Sequence, residues 1–172
     1  MALAAKKFYG RSPDYPLVQT LYRRAFPPRE RIPGIALRWM AAYGHLDALA
    51  FWEKKKFCGF AYLVVQEKTV FIVYLAVDDR LRGQGYGSQI LNCIKALYPG
   101  RTIILDVEKA DDSADNARQR RRRIEFYRRN GFYETDQTFT MRGVRYRIMS
   151  TKADFTEKDY KAFWQNMGRK KT

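Results

Sequence analysis

The chain has 172 residues, 46% of them hydrophobic and 15% aromatic, with 33 Lys and Arg against 18 Asp and Glu for a net charge of +15. That composition excludes a disordered chain and a small disulfide-stapled one, and it fits one domain over residues 1–172. Cys58 and Cys93 sit in apolar patterns without C-x-x-C spacing, His45 is the one histidine, and no run approaches a membrane span, so no metal site, disulfide framework or membrane contact is expected.

The N-terminal MALAAKK has no apolar stretch of signal-peptide length, which makes the cytoplasm the expected compartment. The basic balance favours anionic partners such as nucleic acid, an acidic membrane surface or a polyphosphate cofactor; it bears on partners and not on fold.

In chain order, Lys6 to Tyr9 reads as a short strand, and Pro13 to Phe26 as a helix with Leu17, Val18, Leu21, Tyr22 and Ala25 as its apolar stripe, stopped by Pro27-Pro28. A second helix is expected over Ile35 to Tyr43. The proline-bounded loop between them carries Arg29, Glu30 and Arg31, and Glu30 is kept as a substrate-side candidate. Strands follow at Leu46 to Trp52 and Phe57 to Gln66, joined by Glu53-Lys54-Lys55-Lys56, and a third at Val70 to Val77 after the short turn Glu67-Lys68. Turns this short allow only antiparallel neighbours.

The stretch from Val70 to Leu97 organises the rest. An apolar, β-branched strand stops at Asp78-Asp79, glycines stand at 83, 85 and 87, and helical spacing begins at once with Ile90, Leu91 and Ile94. A strand, a glycine turn and a helix N-terminus make an anion holder. No Gly-Lys-Ser/Thr ending marks a P-loop. G-x-G-x-x-G is nearly met, with Ser88 in the third glycine's place and Asp106 lying 19 residues past Gly87, so a nucleotide-binding oxidoreductase stays a third reading. The antiparallel strands ahead of the turn count against it.

What the turn does match is Arg82-x-x-Gly85-x-Gly87, which resembles the R/Q-x-x-G-x-G/A pyrophosphate loop of the GNAT superfamily of acyl-CoA-dependent N-acyltransferases. Beyond Pro99-Gly100, Arg101 to Glu108 reads as a strand parallel to Val70–Val77, so Val77, the glycine turn, Asp106 and Glu108 are expected around one crevice at the strand ends. A helix is expected from about Asp115 to Arg129, stopped by Asn130-Gly131. Phe126-Tyr127-Arg128-Arg129-Asn130-Gly131-Phe132 matches the F/L-Y-x-x-x-G-F signature of the same superfamily, and the resemblance covers about Leu46 to Glu134. Strands over Phe132–Thr140 and Val144–Thr151 follow, then a helix capped by Thr156 with Phe155, Tyr160, Phe163, Trp164 and Met167 available for docking. Gly168 to Thr172 is expected to fray.

The resemblance implies an α/β (α+β) fold with a mixed sheet of about seven strands, acetyl-CoA as acyl donor, no metal, and acetyl transfer to an amine of unknown identity. It implies that the backbone of Leu75, Ala76 and Val77 pairs with the pantetheine arm, that Arg82, Gly83, Gln84, Gly85, Tyr86, Gly87 and Ser88 hold the pyrophosphate, and that Tyr127 protonates the departing thiolate. Asn116 and Arg120 are further cofactor candidates, although the eleven-residue step from Asn116 to Tyr127 exceeds the usual spacing. Asp106 and Glu108 share a strand face by the two-residue period; Glu108 is the candidate base and Asp106 a substrate-side residue. Arg118, Arg120–Arg123, Arg128 and Arg129 point all round their helix and are expected to form a solvated face balanced by Asp111, Asp112, Asp115 and Glu125. A basic nucleic-acid-binding module is the alternative, although no RNP, KH or zinc-finger pattern supports it. Weak non-specific nucleic-acid binding is expected either way, and monomer and homodimer both stay open.

Overall fold

The computed structural model describes residues 2–167; the tail expected to fray lies outside them. Among the described residues the elements run β1 (Ala4–Lys7), α1 (Asp14–Ala25), α2 (Gly34–Ala42), β2 (Asp47–Glu53), β3 (Lys56–Val65), β4 (Thr69–Val77), α3 (Tyr86–Leu97), β5 (Thr102–Glu108), α4 (Ala117–Arg129), β6 (Tyr133–Met141), β7 (Val144–Ser150) and α5 (Glu157–Asn166). The strands hydrogen-bond in the order β1-β2-β3-β4-β5-β7-β6. No described helix is long and apolar enough to cross a membrane. The chain divides into two compact units: one runs to Val65 and resumes over Ile72–Pro99, and the other comprises Gln66–Phe71 and the chain from Gly100 on.

In the first unit β1 pairs antiparallel with β2, and β2 with β3. The reversal between β2 and β3 places Lys54 at a positive φ of 54°. The first strand lies nearer the N-terminus than Lys6–Tyr9, because Tyr9 is taken by a turn in which its N–H bonds Ser12 Oγ at 3.0 Å and its carbonyl accepts from Ser12 N–H at 2.8 Å. One core gathers Val18, Leu21 and Tyr22 of α1 and Leu37 of α2 with Ala48, Ala50, Phe60, Tyr62 and Tyr74 of the strands. Tyr22 is its hub, edge-on to Tyr74 at 5.0 Å and to Phe60 at 6.1 Å between ring centres. Ile90, Leu91 and Ile94, one helical stripe of α3, are buried. Gly59 sets how closely β3 meets β4 and α3, since a Cβ there would lie 2.3 Å from the Ala76 carbonyl oxygen and 2.9 Å from Ile90 Cδ1.

In the second unit β5 pairs antiparallel with β7, and β7 with β6 around Arg142-Gly143, both at positive φ. α4 begins at Ala117 and not at Asp115, because Ala117 N–H bonds Ala114 O at 3.0 Å in a turn that precedes the helix. Thr156 and Asp159 form a reciprocal capping box on α5. The docking face of α5 is narrower than its apolar pattern suggests: Phe155 and Phe163 are buried, whereas Trp164 and Met167 are exposed. Phe163 meets Phe71 edge-on at 5.8 Å, and Gln66 Nε2 donates to the Phe163 carbonyl at 2.8 Å.

Candidate functional site

The candidate residues fall in both units, and each set has its own geometry. In the first, β4 ends at Val77 and the chain enters a one-turn 3-10 segment, Asp79–Leu81. The buried Asp78 side chain accepts from Arg80 N–H at 3.0 Å and is gripped by the Arg80 guanidinium at 2.9 and 3.1 Å, which holds its carboxyl below the ordinary carboxylate range. Asp79 pairs with Arg24 at 3.2 Å and with Arg82 at 2.6 Å, so the arginine of the motif lies against the loop that precedes the glycines.

Gly83 and Gly85 have φ of 75° and 83°, a region that L side chains rarely occupy, and nothing lies within 4 Å of where their Cβ atoms would stand. The first main-chain bond of α3 runs from Gln89 N–H to Gly85 O at 3.1 Å, so the N–H groups of Tyr86, Gly87 and Ser88 have no acceptor within the helix. A clear space over a bare helix N-terminus is what an anionic group needs. Arg82, Gly83, Gln84 and Gly85 are exposed, Gly87 and Ser88 half-buried. On β4, Leu75 and Val77 are half-buried and Ala76 is buried.

Tyr86 is buried and performs a task that the spacing does not reveal. Its hydroxyl accepts from Lys56 Nζ at 2.6 Å and donates to Glu53 Oε2 at 2.9 Å, while Lys56 and Glu53 pair at 2.5 Å. Lys56 and the Tyr86 hydroxyl hold the Glu53 carboxyl low, and Glu53 in turn raises Lys56. The first residue of α3 is thereby tied to the β2–β3 turn. Glu53 and Lys56 looked like turn residues only, because a contact 30 residues away leaves no periodic trace.

Glu30 ends a 3-10 segment, Pro28–Glu30. Its carbonyl accepts from the Tyr74 hydroxyl at 2.6 Å, and its carboxylate lies 4.0 Å from Arg29 Nε.

In the second unit, Glu108 closes β5 and is buried, and its Oε2 lies 2.7 Å from Arg120 Nε. Arg120 Nε also donates to Asn116 Oδ1 at 2.7 Å, Arg120 Nη1 to the Lys109 carbonyl at 3.2 Å, and Asn116 Nδ2 to Glu108 Oε2 at 3.4 Å. Asn116, Arg120 and Glu108 therefore form one closed set. Arg120 turns inward, unlike the solvated face expected of the arginine run; Arg121 pairs with Asp112, and Arg128 with Glu134 and Glu125. Asp106 is half-buried two residues earlier on the same strand.

Tyr127 is half-buried on α4 between the rings of Phe126 at 5.1 Å and Phe132 at 5.6 Å. Burial raises its phenol pKa above the ordinary value, with Arg123 opposing and Asp106 adding to the rise. Its hydroxyl makes no hydrogen bond among the described residues, so it is a protonated donor without an internal acceptor.

The family model described as an acetyltransferase (GNAT) domain matches residues 45–134, just over half of the chain. A solved protein assigned to the GNAT acetyltransferases, from Bacteroides thetaiotaomicron, is similar at 22% identity and a TM-score of 0.80, over 95% of each chain. An aminoglycoside 6'-N-acetyltransferase complexed with coenzyme A is similar at 17% identity and a TM-score of 0.66, over 86% of this chain and 95% of the other. A Bacillus subtilis acetyltransferase in complex with CoA is similar at 18% and 0.57, over 86% and 97%. At such identities the likeness is one of fold. No curated protein sequence matches the chain.

Proposed function

The chain belongs to the GNAT acetyltransferases, and from that premise we propose that it transfers the acetyl group of acetyl-CoA to an amine by direct attack on the thioester. The observation that carries this reading is the turn Arg82–Ser88: two glycines at positive φ, clear space above them, and three helix N–H groups without intrahelical acceptors. When bound, acetyl-CoA supplies a thioester carbon to which the amine nitrogen bonds as the C–S bond breaks.

The chain's own residues divide the work. N–H groups from Gly83 to Ser88 hold the pyrophosphate, with Arg82 adding charge if it swings from Asp79, and the Glu53–Lys56–Tyr86 tie keeps the helix N-terminus in place. The backbone of Leu75, Ala76 and Val77 lies along the pantetheine arm and polarises the acyl carbonyl. The Tyr127 hydroxyl gives its proton to the departing thiolate, supported by a pKa that keeps the phenol protonated. Glu108 is better read as the anchor that fixes Arg120 beside Asn116 than as a free base, since the guanidinium already occupies its carboxylate. The amine's proton then leaves to water. Asp106 and Glu30 stay on the acceptor's side of this reading.

The same reading places the enzyme in the cytoplasm, supported by two free cysteines, one buried and one half-buried. Exposed Arg118, Arg122 and Arg123 support weak, salt-sensitive binding of nucleic acid with no sequence preference. The test is thiol release from acetyl-CoA in the presence of a panel of amines, with the acetylated product identified by mass. Amine-dependent release supports the reading, and release independent of amine contradicts it.

A further inference from the structure

Within the first unit, α1, the 27–33 loop and α2 border an open cleft of about 430 Å³. Arg23, Arg31 and Arg38 line it together with Tyr15, Tyr22 and Ile35, and no acidic residue is on its wall. None of the three arginines pairs with a carboxylate among the described residues, and Arg31 Nε is buried with no hydrogen-bond acceptor. A buried donor left unpaired is costly, and a shift of the guanidinium toward a ligand oxygen in the cleft would relieve it.

Two of these three are also held, Arg31 through its backbone and Arg38 through its side chain. Tyr74 Oη accepts from Ile32 N–H at 3.1 Å and donates to Glu30 O at 2.6 Å, and Tyr22 Oη donates to Ile32 O at 2.9 Å. The backbone on either side of Arg31 is thus fixed by two buried phenols. The Arg38 guanidinium lies over the Tyr15 ring at 5.1 Å and fills the space where a Cβ of Gly10 would stand, only 2.2 Å from Arg38 Nε. Preorganised guanidinium groups with no internal counter-charge are suited to an oxyanion.

We propose that this cleft recognises the carboxylate or phosphate of a small amine acceptor. The proposal rests on the acetyl transfer proposed above, and Tyr74 supplies its link to that chemistry: the residue that clamps the Arg31 loop directly precedes Leu75–Val77 on β4.

The experiment has a kinetic arm and a binding arm. In the first, kcat/KM is compared for amines matched except in charge, tyrosine against tyramine for carboxylate and phosphoethanolamine against ethanolamine for phosphate. The wild type should favour the anionic member of at least one pair by roughly tenfold or more, and the pair that shows it identifies the oxyanion. Arg31→Gln should bring the ratio near one, and Gly10→Ala, which displaces Arg38 without removing charge, should lower it. Acetylation of amines with a wild-type ratio near one would overturn this inference and leave the enzyme reading intact. In the second arm, tyrosine and phosphoethanolamine binding is followed by ligand-observed NMR without acetyl-CoA. Binding by the wild type that Arg31→Gln loses supports the cleft even if no amine is acetylated, and absence of wild-type binding to both ligands overturns it.

Discussion

Arg120 Nε lies 2.7 Å from Glu108 Oε2 with the two side chains only 13% and 10% exposed, a well-enclosed ion pair. It joins the end of β5 to α4 inside one unit. Removing one partner strands the other: Arg120→Ala should lower unfolding free energy by about 3–5 kcal/mol, far more than loss of the exposed Arg121–Asp112 pair. Urea melts of both variants check this. Glu108→Gln should likewise lose stability while keeping the acidic limb of the pH–rate profile, and loss of that limb would restore Glu108 as the base.

Tyr127→Phe should reduce kcat by about 100-fold with acetyl-CoA affinity unchanged, because only the transition state uses the proton. The sign of the pH effect follows from burial. The acid form is the active one, so activity falls as pH rises through the phenol pKa, and a raised value puts that fall above pH 10, the ordinary tyrosine value. A pH–rate profile in a chemistry-limited assay tests both statements.

Gly59→Ala should destabilise the protein by about 1–3 kcal/mol, since the new methyl would press on the Ala76 carbonyl, which cannot move without shifting β4. Thermal melts read the cost.

Asp78→Asn should cost stability in a pH-dependent way. The native carboxyl titrates below the ordinary aspartate value of 3.8, so its contribution is present above that value and disappears as pH falls through the lower, folded one. The stability gap between wild type and variant, measured by urea melts, should therefore be full at pH 6 and shrink below about pH 3.8.

The strand, glycine turn and helix from Val70 to Leu97 were legible because each element carries a local signal: β-branched residues, glycines at fixed offsets, then Ile90, Leu91 and Ile94 at helical spacing. The α5 capping box was legible for the same reason. What escaped is non-local. The Lys56–Tyr86–Glu53 tie and the close approach at Gly59 depend on register between strands. The arginine run concealed its one inward member, because charge alone does not say that Arg120 meets a buried Glu108. Arg23, Arg31 and Arg38 come from three segments that only the packing of α1 and α2 brings to one cleft.

The most direct measurement is the melting midpoint of the wild type and of Gly85→Asp with saturating acetyl-CoA or NAD, each protein's ligand-free melt serving to show that it folds. Binding to the native state alone stabilises by about 2.7 kcal/mol at a ligand concentration 100 times Kd. Acetyl-CoA should raise the wild-type midpoint and NAD should not, and Gly85→Asp, which puts a side chain and a negative charge over the helix N-terminus, should lose the response. A shift with NAD and none with acetyl-CoA, or an acetyl-CoA response undiminished in a folded Gly85→Asp, would contradict the account.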